Sequence, residues 1–336
     1  PSKRRRGVRV INGFTGRCYV PASPSDQHAV ASSANVTDLA GDRVAYDLGQ
    51  VPSEADSRLS LSGEDRLRIG LNDDRRAKDD RADGTNDLNA AARTIRTWLD
   101  ESGSAVVLCG AGISTESGIP DFRSPGGVWS RHRTIDFDEF CHSAQARYEY
   151  WRQKAEAHRD FVRATPNITH RTLARWETTG KLRGVITQNI DGLHQDAGSR
   201  QVLELHGTAR EIACLDCAWR DRSDPWIRLF LEQERVPDCP SCGGRLKHAT
   251  ISFGQSLSLD MLQTANRWAA EADLFFVLGS SLVVEPAAGL PRTAVQRGAR
   301  LVILNRDATP LDAIASLVVH APLGRVFELF QQLDDG

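Results

Sequence analysis

The stretch Val106–Arg123, "VVLCGAGISTESGIPDFR", constrains the fold most, because it joins a buried strand directly to a glycine-rich turn. The apolar run before Gly110 predicts the strand, and Gly110 and Gly112 begin the turn. This combination is typical of a phosphate cradle in an α/β sheet. The common dinucleotide fingerprint has a third glycine at the position where this chain has Thr115, and an acidic residue at the end of a second strand about 20 residues on. That second strand is also missing from this sequence. The sequence therefore predicts a nucleotide site of another design.

Three later segments also predict short buried strands, at 183–189, 273–281 and 299–307, each ending in small or polar residues. A helical stretch at 287–297 separates the last two. This strand, helix, strand rhythm predicts an α/β fold with a Rossmann-like parallel sheet. Ligands in such sheets bind where the strands end.

Composition excludes several function classes. The chain has 336 residues, 40% of them hydrophobic, and a formal net charge of -2. We expect a soluble globular protein without a direct nucleic-acid or membrane partner, since no apolar run approaches the roughly 18 residues that a spanning helix needs. Six basic and no acidic side chains occupy the first 25 residues, but no apolar segment follows. We therefore expect a cytoplasmic protein and leave an organellar transit segment open.

The chain divides near residue 88. Upstream, "NDDRRAKDDRADGTND" is densely charged and lacks large apolar residues, so residues 1–88 are predicted to be a mostly disordered extension. Downstream, Ala91, Ile95 and Leu99 recur at helical intervals. The folded domain is predicted at 89–330, with a Rossmann-like part at about 89–130, 180–210 and 250–330 and a smaller part at about 131–179 and 211–249.

Four cysteines predict a metal site in the smaller part. They form two Cys-x-x-Cys pairs separated by 21 residues, namely Cys214, Cys217, Cys239 and Cys242. This spacing is typical of a tetrahedral zinc ion held by four thiolates, which leaves no coordination position for water. We therefore predict one structural Zn²⁺; two disulfides or buried free thiols are the alternative.

Polar residues cluster after the 183–189 strand, where Gln188, Asn189 and Asp191 would face a crevice. His206 lies slightly further along the chain. A lone histidine is usually a surface or core group, but the neighbouring polar cluster favours His206 as a catalytic base. Three other histidines lack such support and are predicted to be structural or surface groups: His132, His170 and His194.

Several motifs occur in an order that resembles the sirtuins, which are NAD-dependent protein-lysine deacylases. They are "GAGIS" from Gly110, "SGIPDFR" from Ser117, "TQNID" from Thr187, "LHG" from Leu205, the cysteine pairs, "GSSL" from Gly279, and Asn305. The resemblance covers residues 89–330 and no part of 1–88.

The resemblance implies that NAD is a co-substrate whose nicotinamide is expelled. The NAD-binding residues it implies are Gly110, Ala111, Gly112, Ser114, Glu116, Asp121, Phe122, Arg123, Gln188, Asn189, Asp191, Gly279, Ser280, Ser281 and Asn305, with His206 and Asn189 catalytic. The glycine loop would approach the pyrophosphate, and Asn189 and Asp191 would form the nicotinamide pocket. His206, as a neutral base, would take a proton from the ribose hydroxyl, which then attacks the acyl carbon.

The implied partner is an acyl-lysine protein, and the oligomeric state is left open. Two other functions stay open: a mono-ADP-ribosyltransferase that uses the same site, and a non-catalytic NAD-sensing scaffold. The presence of His206, a candidate catalytic base, argues against the scaffold.

The loop at 252–255, "SFGQ", resembles the family's Phe-Gly-Glu peptide loop, and 284–286 resembles the facing loop. Gln255 replaces the glutamate, which predicts a weaker preference for basic residues beside the acyl-lysine.

The residues of the helix that flanks the acyl pocket indicate which acyl group the protein would remove. Sirtuins that remove acidic acyl groups carry a tyrosine followed three positions later by an arginine. Here Trp151 stands three positions after Tyr148, and Arg152 stands four after it. This predicts a preference for neutral acyl chains. The alternative is that Tyr148 and Trp151 simply belong to the core face of an amphipathic helix.

Overall fold

A computed structural model describes residues 67–70 and 81–335. Its strands are β1 (Leu67–Gly70), β2 (Ala105–Cys109), β3 (Leu182–Thr187), β4 (Val202–Glu204), β5 (Gly207–Cys214), β6 (Arg220–Arg222), β7 (Leu246–Thr250), β8 (Leu274–Leu278), β9 (Arg300–Leu304) and β10 (Leu317–His320). Its helices are α1 (Arg81–Glu101), α2 (Val128–Arg131), α3 (Phe137–His142), α4 (Ala144–Arg163), α5 (Ile168–Thr178), α6 (Leu193–Asp196), α7 (Ser223–Gln233), α8 (Leu259–Glu271), α9 (Leu290–Gln296) and α10 (Leu323–Asp335).

The larger sheet has seven strands in the order β1-β10-β9-β8-β2-β3-β4, and all its neighbours run parallel. Every residue of β2 and β8 is buried, because helices cover both faces of the sheet. The chain passes from β2 to β3 on one side and returns through β8 on the other. The order therefore reverses beside β2, and the crevice at this switch point is where ligands bind in such sheets. The predicted fold class is confirmed.

Two clusters of buried apolar side chains hold helices against the larger sheet. On one face, Leu99 of α1 and Phe327 of α10 pack with residues of the strands. On the other, Trp268 of α8 and Leu290 of α9 do the same. Trp176 of α5 lies in the first cluster, with its ring centroid 5.4 Å from that of Phe330. The structure thus places α5 with the larger sheet, whereas the sequence grouped it with the smaller part.

A smaller module is formed by two insertions into the larger sheet, one between β2 and β3 and one between β4 and β8. The second insertion contains a sheet with the antiparallel order β6-β5-β7. Helices α3, α4 and α7 supply its core together with β5 and β7, through residues such as Phe140, Trp151, Phe230 and Leu246. The four cysteines lie in this module. This confirms the predicted second, smaller domain with a cysteine cluster that can hold a metal ion.

The folded part begins before the predicted boundary at residue 88. Residues 67–70 pair as edge strand β1 with β10, and α1 begins at Arg81. The rest of the predicted extension, residues 1–66 and 71–80, lies outside the described residues. Among the described helices, none is long and apolar enough to cross a membrane.

Candidate active site

A cavity of about 670 Å³ opens where β2, β3 and β8 end. It brings together fourteen of the residues predicted from the sequence: Gly110, Ala111, Gly112, Glu116, Asp121, Phe122, Arg123, Gln188, Asn189, His206, Gly279, Ser280, Ser281 and Asn305. The other two, Ser114 and Asp191, are buried and do not line it. Residues as far apart in the chain as Gly110 and Asn305 meet here because parallel strands present their carboxyl ends at one edge.

The glycines after β2 are required by the loop that follows β8. The amide of Gly112 donates to the carbonyl oxygen of Gly279 at 2.9 Å, and a Cβ on Gly112 would lie 2.8 Å from that oxygen. A Cβ on Gly110 would lie 2.7 Å from the same oxygen. The sequence attributed these glycines to a phosphate approaching the backbone. The structure adds a second reason, since the two loops touch backbone to backbone.

Replacing Gly279 by alanine is expected to destabilise the fold by about 1–3 kcal/mol. Its φ of +59° is left-handed, and a Cβ would lie 2.5 Å from the backbone nitrogen of Ile113. Gly298→Ala is the matched control, because Gly298 also has a positive φ but has open space around it. Thermal unfolding should show a larger loss for Gly279→Ala; equal losses would mean that contact between the loops contributes nothing.

A buried network fixes Asn189 at the cavity wall. The Asn189 side-chain nitrogen donates to Ser114 Oγ at 3.1 Å, and Ser114 Oγ donates to Asp191 Oδ2 at 2.7 Å. The other carboxylate oxygen of Asp191 accepts from the backbone nitrogen of Leu193 at 2.9 Å. Burial raises the pKa of Asp191, although these hydrogen bonds partly oppose it. Ser114 and Asp191 thus act from behind the wall by orienting Asn189.

His206 is held in one tautomer. Its Nδ1 lies 2.8 Å from the carbonyl oxygen of Gln188, which can only accept a hydrogen bond. Nδ1 therefore carries the hydrogen, and in the neutral ring Nε2 keeps its lone pair. Burial lowers the pKa of His206, while the hydrogen bond to Gln188 acts in the opposite direction. The arrangement presents a neutral base to the cavity.

Two of the predicted cofactor-binding residues also form hydrogen bonds to the backbone of neighbouring segments. Glu116 Oε1 accepts from the backbone nitrogen of Gly324 at 2.9 Å, at the start of α10. Asp121 Oδ1 accepts from the backbone nitrogen of Ser124 at 2.7 Å and from that of Arg123 at 3.1 Å. Burial by itself would raise the pKa of Asp121, but these hydrogen bonds leave it lowered. Asp121 thus stabilises the turn that carries Arg123.

Hydroxyl groups join the loop after β8 to the rest of the wall. Gln188 Nε2 donates to Ser280 Oγ at 2.9 Å, and Arg123 donates to Ser281 Oγ at 3.3 Å. Asn305, at the end of β9, donates from its side chain to the carbonyl oxygen of Asp307 at 2.7 Å. Arg306, in the same loop, donates to Ser124 Oγ of the segment after β2 at 2.9 Å. Hydrogen bonds therefore connect the loops after β2, β3, β8 and β9.

The opposite side of the cavity comes from the loops predicted to bind peptide. Residues 252–255 and 284–285 line it. Gln255 is buried, and its side-chain oxygen accepts from the backbone nitrogen of Ser252 at 3.2 Å. The carbonyl oxygen of Phe253 accepts from the backbone nitrogen of Phe137, the first residue of α3, at 2.8 Å. The smaller module is thereby attached to this side of the cavity.

The face of α4 towards the cavity differs from the predicted one. Tyr148 packs on Phe230 with ring centroids 5.5 Å apart, and buried Trp151 donates from Nε1 to the carbonyl oxygen of Leu246. Arg152 is exposed and pairs with two glutamates of its own helix. For Tyr148 and Trp151 the core-face alternative is therefore correct. The residues of α4 that line the cavity are Tyr150, Gln153 and Lys154.

Other residues of the wall were missed or assigned differently from the sequence. His132 lines the cavity although it was grouped with structural or surface histidines. His170 and His194 are buried, with ring centroids 4.9 Å apart, which confirms a structural place for both. Further lining residues include Thr115, Ile190, Arg306 and Asp307. Thr115, Ile190 and Arg306 are each next to a predicted residue in the chain, and Asp307 lies two positions after Asn305. This closeness in the chain was the available signal.

The four cysteine sulfurs form a compact cluster away from the cavity. All four lie within 4.8 Å of one another; Cys214 and Cys242 are 3.6 Å apart, and Cys217 and Cys239 are 3.7 Å apart. A tetrahedral ion with 2.3 Å bonds to sulfur needs separations of about 3.8 Å. None of the four forms a disulfide. The donor set and its geometry therefore fit zinc.

Comparison with known proteins finds the same similarity over most of the chain. The family model described as the Sir2 family matches residues 110–286. An NAD-dependent protein deacetylase of Rhodopseudomonas palustris is 44% identical over 246 residues, covering 72% of this chain and 97% of that protein. A solved structure described as "Sir2-p53 peptide-NAD+" is 39% identical with a TM-score of 0.67, covering 72% of this chain and 98% of its own. Another, a histidine-to-alanine Sir2 variant with deacetylated p53 peptide and 3'-O-acetyl ADP-ribose, is 38% identical with a TM-score of 0.68, covering 72% and 97%.

Proposed function

Because the chain belongs to the Sir2 family, we propose that it is an NAD-dependent protein-lysine deacetylase whose reaction takes place in the cavity around His206. It cleaves nicotinamide from NAD and transfers the acyl group of a protein lysine to ADP-ribose. The observation that carries the proposal is the oriented His206, with Nδ1 bound to the carbonyl oxygen of Gln188 and Nε2 left as the base. The side chain of Asn189 is held in the same cavity.

NAD fits the loops that follow the parallel strands. Backbone around Gly110 and Gly112 would lie along the pyrophosphate, where the absence of side chains gives access to amide groups. Ser280, Ser281 and Asn305 would contact the adenosine half. Asn189, oriented by Ser114 and Asp191, would hold the nicotinamide end. These assignments place the bond to be cleaved close to His206.

His206 supplies general-base catalysis. Its neutral ring accepts the proton of a ribose hydroxyl at Nε2, so that the oxygen can attack the carbon derived from the acyl group. The hydrogen bond from Nδ1 to Gln188 strengthens as the ring becomes charged, which stabilises the protonated state after transfer. The backbone carbonyl of Gln188 therefore positions His206, while the side chain of Gln188 lines the cavity.

The rate of acyl transfer should fall at low pH with a midpoint below His206's ordinary pKa of about 6.5. Protonation removes the lone pair on Nε2, and burial lowers the pKa, so the base stays active to lower pH than a free histidine. Single-turnover deacetylation measured from about pH 5 to pH 8 should show this acid limb. A midpoint above 6.5 would contradict the orientation and burial of this ring.

Zinc is proposed as a structural ion of the smaller module, held by Cys214, Cys217, Cys239 and Cys242. Four thiolates complete its coordination, and when bound it would cross-link β5 to the turn before β7. None of the four cysteines lines the cavity, so the ion takes no part in the proton transfer.

The proposed partner is a protein with an acyl-lysine, laid as an extended strand between residues 252–255 and 284–285. The side chain of Gln255 forms a hydrogen bond within its own loop and carries no charge, which supports a weak preference for basic residues beside the acyl-lysine.

The deciding experiment incubates the full chain with NAD and an acetylated peptide and follows the products by mass spectrometry. Nicotinamide, free lysine and acetylated ADP-ribose in equal amounts support the proposal. ADP-ribosylated protein without deacetylation would indicate the transferase alternative.

A further inference from the structure

We propose that Arg210 is a positioning residue for the nicotinamide pocket, because its guanidinium group fixes the segment that carries Asn189 and Asp191. The inference rests on the proposed deacetylase function and deepens it, by adding a residue that acts on the pocket without lining the cavity. Arg210 lies on β5, four residues after His206 and four before Cys214 of the cysteine cluster. A strand of the smaller module thus reaches the ligand pocket of the larger sheet.

The segment between β3 and β4 is attached to β5 through both backbone and side chain. The backbone nitrogen of Ala209 donates to the carbonyl oxygen of Ile190 at 2.9 Å. Arg210 Nε donates to the carbonyl oxygen of Asp191 at 2.8 Å. The two terminal nitrogens of the same guanidinium group donate to the carboxylate of Asp196 in α6, one of them at 2.7 Å. Arg210 therefore spans this segment from the backbone of Asp191 to the side chain of Asp196.

An arginine can make this attachment and a lysine cannot. The guanidinium group is a planar fork, so Nε can serve the carbonyl oxygen while the terminal nitrogens serve the carboxylate. It passes directly over Gly192, where a Cβ would overlap Nε of Arg210. The hydrogen bonds to Asp196 raise the pKa of Arg210, which keeps the fork charged.

The ion pair contributes orientation more than stability. The side chain of Arg210 is 44% exposed and that of Asp196 is 41% exposed, and an exposed ion pair adds little to the free energy of unfolding. The pair instead holds the guanidinium group so that Nε stays on the carbonyl oxygen of Asp191. Loss of Arg210 is therefore expected to change the pocket while the fold persists.

The residue that Arg210 holds is the one whose side chain orients Asn189. Asp191 Oδ2 accepts from Ser114 Oγ, which in turn accepts from the side-chain nitrogen of Asn189. Burial raises the pKa of Asp191, while hydrogen bonds from Leu193 and Ser114 and the positive charge of Arg210 act in the opposite direction. An ionised carboxylate can only accept, so Ser114 donates to it and is left to accept from Asn189. The position and the charge of Arg210 thus both act on the direction of the Asn189 amide.

The proposal predicts an effect confined to the nicotinamide half of NAD. ADP-ribose, which is NAD without nicotinamide, should bind as before, because the glycine loop and the adenosine contacts at Ser280 and Asn305 are untouched. Release of nicotinamide, and inhibition by free nicotinamide, both depend on an oriented Asn189 and should weaken when Arg210 is replaced.

The test uses the full chain with NAD and an acetylated peptide. Three quantities are measured on each variant: the single-turnover rate of nicotinamide release, the nicotinamide concentration that halves deacetylation, and the affinity for ADP-ribose. Arg210→Met should slow the release and raise the inhibitory concentration about 10-fold, as expected for the loss of a hydrogen bond to a charged group. Affinity for ADP-ribose and melting temperature should change little.

Two variants and a control separate the parts of this contact. Arg210→Lys keeps the positive charge without the fork and should recover only part of the loss. Asp196→Asn removes the charge that holds the fork but leaves Nε able to reach Asp191, and it should give a smaller effect than Arg210→Met. Arg152→Met is the matched control, because Arg152 is 47% exposed, forms a two-bond pair with Glu149 and does not line the cavity. It should change none of the three quantities.

An Arg210→Met protein that releases nicotinamide at the wild-type rate with unchanged inhibition overturns the inference. A parallel loss of ADP-ribose affinity, nicotinamide sensitivity and melting temperature also overturns it, because Arg210 would then only stabilise the fold. If Arg210→Met does not fold, Arg210→Lys and Asp196→Asn decide, and wild-type nicotinamide release by both overturns the inference. If the wild type itself releases no nicotinamide and consumes no peptide, the proposed function fails, and this inference fails with it.

Discussion

Replacing Cys239 by alanine is expected to remove the bound zinc, unfold the smaller module and abolish deacetylation. Four thiolates close the coordination shell, and structural zinc contributes on the order of 10 kcal/mol of folding free energy in zinc-binding peptides. Cys239 is buried, and its sulfur lies beside that of Cys217. Water therefore does not easily take the place of the lost thiolate as a zinc ligand. Activity is lost although zinc does not touch the substrates, because α3 of this module is attached to the loop at Phe253 that lines the cavity.

Metal analysis, thermal unfolding and a deacetylation assay on the same preparation test this prediction. The wild type should contain one zinc per chain, and a strong chelator should reproduce the loss caused by Cys239→Ala. Cys109→Ala is the matched control, since Cys109 is a buried free thiol of β2 outside the cluster and its loss should leave the zinc content unchanged. A metal-free protein with full activity would contradict the prediction.

Replacing His206 by alanine should slow deacetylation by about 100-fold or more, the usual contribution of a positioned base. Binding of NAD and peptide should be nearly intact, because it depends on the glycine loop, the loop at Ser280 and the two peptide loops. Exchange of free nicotinamide into NAD should survive in part, since attack by the acyl oxygen on the ribose carbon precedes the proton transfer. Among the described residues, the ring of His206 makes its hydrogen bond through Nδ1, to the carbonyl oxygen of Gln188, so its removal breaks one bond inside the protein. We therefore expect a selective loss of turnover.

Melting temperature, NAD affinity and single-turnover rate should be measured together on His206→Ala. His142→Ala is the control, because His142 is an exposed residue at the end of α3 that pairs with Asp138. If His206 is instead a packing residue, its removal lowers stability and binding in parallel. Unchanged deacetylation by a folded His206→Ala protein would eliminate it as the base.

Features that depend on local chain chemistry were predictable from the sequence. The apolar run before Gly110 and the later strands identified a parallel sheet, because strands buried on both faces are apolar throughout. The spacing of the four cysteines identified the metal cluster, since each Cys-x-x-Cys turn brings two sulfurs together within a few residues. His206, Gln188 and Asn189 were found from short polar motifs at strand ends. In each case the informative residues are neighbours in the chain.

The sequence did not show which residues of a helix line the cavity and which pack in the core. Tyr148 and Tyr150 are two positions apart on α4, yet one packs on Phe230 and the other lines the cavity. An amphipathic pattern shows that one face is buried, but this helix is enclosed by core on one side and cavity on another. Only docking against β7 and α7 decides which residues meet the substrate.

The sequence by itself determined the family, the parallel sheet, the cysteine cluster and the residues at the strand ends, because these follow from short-range pattern and spacing. Tertiary structure alone decided the tautomer of His206, the contact that requires Gly279 to be a glycine, and which residues of α4 line the cavity. Each of these depends on atoms from segments far apart in the chain. Hydrogen bonding, close packing and charge compensation are set by which groups meet, and the chain order does not contain that information.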